Sequence, residues 1–464
     1  MTRDAPQHSL TLAFAQRLAD WPADDPALLR RCRLLLLDGL AVAVAGAAEP
    51  GPRAMAALAR ENGGGPATLI GQGASAAPAN AARVNGMSMH VLDYEPMWNP
   101  PNHAISPLLP ALLALAERRE AAGSSPQGGV LLSCLAKGIE AQGRLRLASG
   151  QIEPAKLSLH PPGAVGPLAA ALACGSMLGL APERLAAAVG IAASRSAGLL
   201  ANVGSMTKAL HCGDGAAHGL EAALLAASGF SANEDAIGSP RGWGPSLFPD
   251  SFDPAPLTAP VDAPRALDPG PAWKLFPSQF ATHFGITAAL AARETLGSGP
   301  IRRVVLTVPP MPYIDRPQPK DGLDGKFSWQ YTAAAALLDG AVGSGSFTDA
   351  RRFAPDMVAL LAAIELRPDP TISGRFDRMH VDITVEPERG DTLTRRCDAP
   401  LGSWSRPIGE ERIVEKARDL LAPAIGHEAA VELIGRALQA DEFEVRSMTA
   451  MLRDRHHSSG KDLT

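Results

Sequence analysis

DPAPLTAPVDAPRALDPGPA, residues 253–272, separates two regions of the chain whose hydrophobic patterns differ. The stretch is rich in proline, which is typical of a linker or a long crossing loop. Before it, long apolar runs that contain small residues, such as residues 26–48, predict buried helices packed at close range. After it, the β-branched run at 301–308 and the alternating residues 381–386 predict strands. We therefore expect a helical region followed by an α+β region.

Helical patterns return beyond the strands, at residues 409–440. The sequence thus predicts a mainly α fold, with a large all-helical domain built from both chain ends and a smaller inserted α+β domain. The predicted boundaries are 1–265 for the first part of the helical domain, 266–402 for the α+β lid domain, and 403–464 for the C-terminal part of the helical domain. Individual helices are predicted at residues 81–92, 105–122, 129–148, 163–179, 183–201, 214–228 and 328–339.

The composition excludes several classes of protein. The 464 residues include 43 Lys and Arg against 48 Asp and Glu, giving a net charge of −5. Because no basic stripe could neutralise a phosphate backbone, we expect no nucleic-acid partner. The five cysteines are odd in number, far apart and without a C-x-x-C pair. We expect buried thiols in a reducing compartment rather than disulfides or a zinc ribbon.

Two segments bear on location. Residues 163–182 are uncharged, but their Gly, Ala and Pro content favours a buried helix over a bilayer span. The first fourteen residues carry Asp4 and no long apolar stretch, so we expect no signal peptide. These patterns predict a cytoplasmic protein without a membrane partner.

The segment around His90 concentrates reactive side chains. His90 and Asp93 are three residues apart, which predicts that they share a face at the C-terminal end of a helix. His103 follows after a proline-rich loop at 95–102. A carboxylate beside imidazoles can transfer protons. The alternative is a helix end with a capping Asp and a hydrogen-bonded core His.

Three later segments carry further candidates. His160 stands directly before a Pro-Pro-Gly turn and a predicted helix, whose N-terminus attracts carboxylates. Lys208 lies among small and apolar residues, with His211 three residues later, and could hold a substrate carboxylate as a point charge. Lys274 could supply a second cation near the junction of the domains. Each also has a plain interpretation: an exposed His in a turn or a lysine at the surface.

Familiar catalytic motifs are absent from the sequence: it has no G-x-S-x-G elbow, no P-loop, no H-E-x-x-H and no G-x-G-x-x-G after a strand. An iron oxygenase site made of His90, Asp93 and His103 is an alternative. We consider it the weaker hypothesis, because such sites usually sit on a β-scaffold and this segment reads as helix and loop.

Taken in order, these segments resemble the MmgE/PrpD family, which includes 2-methylcitrate dehydratase, cis-aconitate decarboxylase and iminodisuccinate epimerase. The similarity runs over most of the chain and lies in an ordered succession of modest motifs. The matching pieces are LLLLDGLAVAVAGA at 34–47, ARVNGMSMHVLDYE at 82–95, HPPGAVGPLAAALACGSMLGL at 160–180, GLLANVGSMTKALHCGDGAAHG at 198–219, KLFPSQFATH at 274–283 and KFSWQYTAAAALLDG at 326–340.

The resemblance implies the two-domain fold described above, a homodimer, and an active site in the cleft between the domains. It implies work on small di- or tricarboxylates without metal or organic cofactor. The matching site positions are Asp93, His103, His160 and Lys208 as catalytic residues, with Lys274 and, as a weaker candidate, Tyr313 in substrate binding. We add His90 and Met97 to the predicted substrate-binding residues.

Met97 marks a departure from the family pattern. The family usually continues H-x-L-D-[FY]-D-D-T, whereas this chain reads His90-Val-Leu-Asp-Tyr-Glu-Pro-Met97. Met97 replaces a hydroxyl residue, and a thioether cannot donate a hydrogen bond to substrate. The pocket should therefore differ from that of citrate-type enzymes.

The predicted function is that of a cofactor-independent lyase that removes a proton next to a carboxylate of a small polycarboxylic acid. A dehydratase is the leading expectation. Decarboxylation of a cis-aconitate-like acid and epimerisation of an iminodisuccinate-like acid share a carbanion intermediate with it and stay open as alternatives. A non-catalytic scaffold homologue is an alternative of another class.

Overall fold

The computed structural model describes residues 9–124 and 126–453, and most of its regular structure is helical. A mainly α fold is therefore confirmed. Residues 1–8 lie outside the described residues. The prediction that the chain has no signal peptide rests partly on them. The last part of the third predicted domain, from residue 454, lies outside the described residues as well.

Helices dominate the region up to the proline-rich stretch, with a short antiparallel pair of strands after α3. The elements are α1 (Leu10–Asp20), α2 (Pro26–Gly46), α3 (Pro50–Glu61), β1 (Ala67–Leu69), β2 (Ala74–Ala76), α4 (Pro78–His90), α5 (Ile105–Ala121), α6 (Gly128–Ala148), α7 (Pro161–Met177), α8 (Pro182–Ala193), α9 (Met206–Ala227), α10 (Trp243–Leu247) and α11 (Ala255–Thr258).

Small residues let these helices approach closely, and α9 packs against both α4 and α7. Gly86 of α4 illustrates the reason. A Cβ atom there would lie 2.9 Å from the Cα of Gly213 in α9 and 2.9 Å from the carbonyl oxygen of Ser106. A larger residue would push α4 and α9 apart, and these two helices carry His90 and Lys208.

The region after the linker combines helices with a four-stranded sheet. Its elements are α12 (Thr282–Leu296), β3 (Ile301–Val308), α13 (Gly322–Gly325), α14 (Trp329–Asp339), α15 (Asp349–Arg352), α16 (Pro355–Ala362), β4 (Ile364–Pro368), β5 (Val381–Pro387) and β6 (Leu393–Cys397). The strand order is β4-β3-β5-β6, with β3 parallel to β4 and antiparallel to β5. The hairpin β5–β6 confirms the predicted turn at Gly390-Asp391. Helix α12 packs on β5, β6 and α14.

The chain ends in α17 (Glu410–Ile425), α18 (His427–Leu438) and α19 (Val445–Thr449). Helices α17 and α18 pack on α2, near the start of the chain. Their buried side chains, such as Leu421 and Leu433, belong to the same apolar cluster as Leu35. A second cluster holds residues of the α+β region, such as Trp329 and Ile383. The numerical boundaries 1–265, 266–402 and 403–464 stay a prediction.

Two helix boundaries were predicted wrongly, and one helix was missed. Helix α8 ends at Ala193, not at residue 201, because the chain turns before Gly198, which has a φ of 114°. Helix α9 begins at Met206, eight residues before the predicted start. Helix α12 was not predicted, although its apolar face packs on the sheet.

Two expectations about the interior are met. All five cysteines are buried and unpaired. The uncharged run after His160 forms the buried helix α7, and within the described residues no helix has the length and apolar character that crossing a membrane requires.

Candidate active site

A cavity of about 280 Å³ lies between the helical region and the α+β region. On one side it is lined by the loop after α4 and by the first residues of α7 and α9, including His103, His160 and Lys208. On the other side it is lined by residues of the α+β region, including Gln279 and Tyr313. Five of the eight predicted site residues contribute to its wall, namely Met97, His103, His160, Lys208 and Tyr313.

Asp93 lies directly behind this wall and is 2% exposed. It does not share a helix face with His90 as the spacing predicted, because α4 ends at His90 and Asp93 adopts a φ of 50°. This left-handed conformation is uncommon for a residue with a side chain, though Asp tolerates it better than most. The turn directs the carboxylate of Asp93 between two lysines.

Lys208, in the first turn of α9, joins Asp93 to the cavity. Its Nζ lies 2.7 Å from Asp93 Oδ2 and 2.7 Å from His90 Nε2. An ammonium group has three N–H bonds, and these contacts use two of them. The third is available to a molecule in the cavity.

Lys274 holds the other oxygen of Asp93. Its Nζ contacts Asp93 Oδ1 and also donates to the carbonyl oxygens of Asp93 and Ser278, each at 3.0 Å. With three acceptors and 1% exposure, Lys274 does not line the cavity. The sequence predicted a substrate-binding role, but the structure places this lysine where it positions Asp93.

Asp93 stays ionised in this arrangement. Burial alone would raise the pKa of Asp93, but the ammonium groups of Lys208 and Lys274 outweigh it and hold the pKa well below its usual range. Burial lowers the pKa of Lys274, against the opposing effect of Asp93. The three groups therefore form a buried, charged triad.

His90 and Glu95 form a second layer behind the wall. His90 Nδ1 hydrogen-bonds Glu95 Oε1, which also accepts from Ser106 Oγ at 3.0 Å. Since His90 Nε2 faces Lys208, both ring nitrogens have partners and His90 does not line the cavity. Burial lowers the pKa of His90 to about 4, so the ring is neutral near pH 7. His90 was predicted to bind substrate, and the structure places it under Lys208 instead.

His103 lies between two carboxylates. Its Nδ1 is 3.2 Å from Glu95 Oε1 and its Nε2 is 3.7 Å from Asp93 Oδ1. Burial would raise the pKa of Glu95, but the rings of His90 and His103 outweigh it and hold the pKa well below its usual range. The longer distance at Nε2 leaves that nitrogen open to the cavity.

His160 precedes α7 and faces the same cavity. Its Nδ1 lies 3.2 Å from Nδ1 of His211, which is one helical turn after Lys208 on α9. Burial, and next the ammonium of Lys208, lower the pKa of His160 well below its usual range, so this imidazole is neutral near pH 7.

The wall from the α+β region is neutral. Gln279 Nε2 donates to the hydroxyl of Tyr313 at 2.9 Å, which leaves the hydroxyl proton of Tyr313 free to donate. Burial raises the pKa of that hydroxyl. Phe280 and Phe376 add apolar surface, as does Met97, whose backbone pairs with Ala272 across the regions.

The charged side chain in the described cavity wall is the ammonium of Lys208, whereas the carboxylates of Asp93 and Glu95 lie behind the wall. Lys208 and Lys274 both pair with Asp93. The N-termini of the long helices α7 and α9 also point to the cavity, and such ends attract anions. The site therefore suits an anionic guest.

One group of described side chains could surround a metal ion: the ligand atoms of His90, Glu95 and His103 lie within 4.8 Å of one another. The iron-site alternative used Asp93 in place of Glu95, but Asp93 faces the two lysines. Because both nitrogens of His90 already have partners, a metal would have to displace one of these hydrogen bonds.

Sequence reasoning missed several residues of this site. Glu95 entered the sequence analysis only as part of the departure from the family pattern, and nothing in the sequence indicated that it contacts two imidazoles. Lys326 reaches back to the carbonyl oxygen of Leu92 at 3.3 Å. The motif KLFPSQFATH contained Gln279, but its spacing does not reveal the bond to Tyr313.

Lys416 of α17 contacts the loop that follows α4. Its Nζ donates to the carbonyl oxygen of Tyr94 at 2.7 Å and pairs with Asp38 of α2 at 2.8 Å. The ammonium also lies 4.0 Å from the centre of the Tyr94 ring. The last long segment of the chain thus fixes the loop that carries Asp93 and Glu95.

Fold and site together define a mainly helical protein with a cavity whose wall presents the ammonium of Lys208 and the imidazoles of His103 and His160. Models of the MmgE/PrpD N-terminal domain and C-terminal domain match residues 12–255 and 276–440. The chain belongs to the MmgE/PrpD family, as its motifs indicated.

Curated relatives carry names that specify an activity. The chain is 33% identical to cis-aconitate decarboxylase of Homo sapiens over 385 residues, which covers 81% of this chain and 79% of the relative. It is 32% identical to cis-aconitate decarboxylase of Mus musculus, covering 81% and 78%. A cis-aconitate decarboxylase of Aspergillus terreus is 26% identical, covering 93% and 92%.

Proposed function

We propose that this protein is a carboxy-lyase that releases CO₂ from a small unsaturated polycarboxylate such as cis-aconitate, without metal or organic cofactor. The observation that carries the proposal is the 33% identity to human cis-aconitate decarboxylase over 81% of the chain. The cavity lined by His103, His160 and Lys208 supports it, because it offers cationic and neutral donors to an anion.

This proposal revises the dehydratase that the sequence favoured. The similar curated proteins named above are decarboxylases, so the comparisons favour the alternative over the leading expectation. Dehydration and epimerisation stay outcomes of the experiment described below.

The reaction that we propose consumes one proton for each CO₂ released. In cis-aconitate, one carboxylate sits on a carbon next to a C=C bond that is conjugated with a second carboxylate. When the C–CO₂ bond breaks, its electron pair forms a new C=C bond, and the old π pair moves to the carbon beside the second carboxylate. The oxygens of that carboxylate take up the charge, and a proton then adds to the carbon.

Lys208 and His160 are the groups that we propose for charge stabilisation. The free N–H of Lys208 is already aimed by Asp93 and His90, so it needs no reorganisation during the reaction. His160, being neutral, can donate a hydrogen bond to the developing charge without first losing a proton to it.

His103 is the proton donor in this proposal. Its Nδ1 lies 3.2 Å from Glu95 Oε1 and its Nε2 lies 3.7 Å from Asp93 Oδ1, so both carboxylates are within ion-pair distance of the ring. The longer contact leaves Nε2 able to turn its proton to the substrate carbon. Asp93, held by Lys274, acts as a positioning residue for both Lys208 and His103.

Purified protein incubated with cis-aconitate in D₂O tests the proposal by NMR. We expect CO₂ release and a product that carries one deuterium at the protonated carbon. A hydrated tricarboxylate would support the dehydratase instead, and deuterium exchange without CO₂ loss would support the proton abstraction on which an epimerase depends. Absence of all three, with protein shown to be folded by circular dichroism, would contradict an enzyme acting on this acid.

Assembly and location stay proposals as well. The family resemblance implies a homodimer, which light scattering of the purified chain would test. The expected cytoplasmic location would be contradicted by finding a tagged chain outside the cytoplasm of its native cell.

A further inference from the structure

His211 contacts His160 from outside the cavity, and the proposed mechanism assigns it no role. It is half-buried and does not line the cavity, whereas His160 does. The rings of His160 and His211 have centroids 5.3 Å apart and meet through their Nδ1 atoms at 3.2 Å.

Contact between two Nδ1 atoms constrains both rings. A hydrogen bond between them requires a proton on one nitrogen and a lone pair on the other. Burial and the nearby Lys208 lower the pKa values of both imidazoles, so each ring is neutral near pH 7 and carries one proton. The two rings must therefore adopt opposite tautomers, and the state of one fixes the state of the other.

The surroundings favour His211 as the donor. Burial lowers the pKa of His211, and the carboxylate of Asp214, one turn further along α9, opposes this shift. Asp214 also pairs with Arg83 at 2.8 Å. Among the described residues, the side-chain hydrogen bond of His160 is the one that its Nδ1 makes with His211. With Nδ1 occupied by His211, the Nε2 of His160 is the nitrogen left for a molecule in the cavity.

We propose that His211 is a positioning residue that donates from Nδ1 to His160 Nδ1 and thereby keeps the proton of His160 on Nε2, directed to the substrate carboxylate. The role of His160 towards substrate rests on the proposed function, whereas the tautomer does not. One turn of helix α9 would then contribute two groups to the site. Lys208 supplies an ammonium group, and His211 orients the ring of His160.

Two variants of similar size separate positioning from other roles. In His211→Asn the amide nitrogen lies near the position of Nδ1 and can donate, whereas in His211→Gln it lies near the position of Nε2. With cis-aconitate as substrate, we expect His211→Gln and His211→Phe to lose on the order of 10²-fold in kcat with little change in KM. We expect His211→Asn to stay within about fivefold of the unmodified protein, because one hydrogen bond is largely restored.

A second measurement needs no activity. In the full chain labelled with ¹⁵N-histidine, with the signal of His160 assigned through His160→Gln, nitrogen shifts report which ring atom bears the proton. We expect Nε2–H in the unmodified protein and in His211→Asn, and a mixture of tautomers in His211→Phe.

Several results would overturn the proposal. A proton on Nδ1 of His160 in the unmodified protein would reverse the direction of the bond. Full kcat in His211→Phe would remove the role, and a His211→Asn variant as slow as His211→Phe with an unchanged tautomer would indicate a proton relay instead. If the unmodified protein does not decarboxylate, the proposed function fails while the nitrogen shifts still decide the tautomer.

Discussion

The two faces of the cavity differ in chemistry. The helical face comprises His103, His160 and Lys208, with Asp93 and Glu95 behind them, and Lys208 and His103 contact these two carboxylates. The α+β face comprises Gln279, Phe280, Tyr313 and Phe376, which carry no formal charge near pH 7. Under the proposed function, the helical face performs the reaction, and the α+β face selects and encloses the substrate.

Two lysines of the α+β region form polar contacts with the helical region. Lys274 and Lys326 belong to the region after the linker, yet their ammonium groups contact Asp93 and the carbonyl oxygen of Leu92 in the helical region. The cation that lines the cavity, Lys208, comes from the helical face. Substitutions in these groups test whether the two faces have these separate roles.

Lys208→Met should have the largest effect. It removes the ammonium that faces the substrate and leaves Asp93 with one cation, so we expect decarboxylation, measured as kcat/KM, to fall on the order of 10³-fold. Lys156→Met changes an exposed lysine near the same cavity and is the matched control. A Lys208→Met protein that is folded and as active as this control would refute the assignment of chemistry to the helical face.

Tyr313→Phe should have a smaller effect, and mainly on KM. The hydroxyl is the free donor of the α+β face, and losing a hydrogen bond to a carboxylate should weaken substrate binding about tenfold. Tyr331→Phe removes a buried hydroxyl of the same region that does not line the cavity, so it should alter thermal stability and not KM. A large drop in kcat with an unchanged KM for Tyr313→Phe would place this face in the chemistry.

Lys326→Met should change stability with a defined dependence on pH. Burial lowers the pKa of Lys326 from its ordinary 10.5 to about 8, so at pH 7 folding buries a charged group at a cost. Between pH 8 and about 10.5 the folded protein has lost this proton while the unfolded chain still binds it, so the cost falls progressively across that window.

The melting temperature of Lys326→Met should therefore exceed that of the unmodified protein at pH 7, and the difference should shrink towards pH 9.5. Lys320→Met, at an exposed position, should show no such trend. A difference that grows with pH would mean that Lys326 stabilises the fold through its charge.

Much of this architecture could be predicted from residue patterns. Periodicity located the long helices and the hairpin, because burial of an apolar face decides those elements. Helix α12 escaped prediction since its start follows a dense run of loop residues, and α9 was placed too late since Met206 and Lys208 look like the end of a loop.

The sequence predicted which residues belong to the candidate site better than it predicted their contacts. The motifs predicted His103, His160 and Lys208 as site residues, and all three line one cavity. The left-handed turn at Asp93 and the pairing of Glu95 with two imidazoles arise from contacts between distant segments. Local spacing carries no information on such contacts, so the roles of individual residues stay predictions.

The contact between Lys416 and the carbonyl oxygen of Tyr94 also orders events on the ribosome. Residues 93–95 emerge more than three hundred positions before the lysine that anchors them, so this anchor cannot form on a nascent chain until α17 has left the exit tunnel. A prematurely terminated product would keep the histidines and Lys208 yet lack this brace. Quality control that samples the C-terminal helices would thus also sample whether the reactive loop is secured.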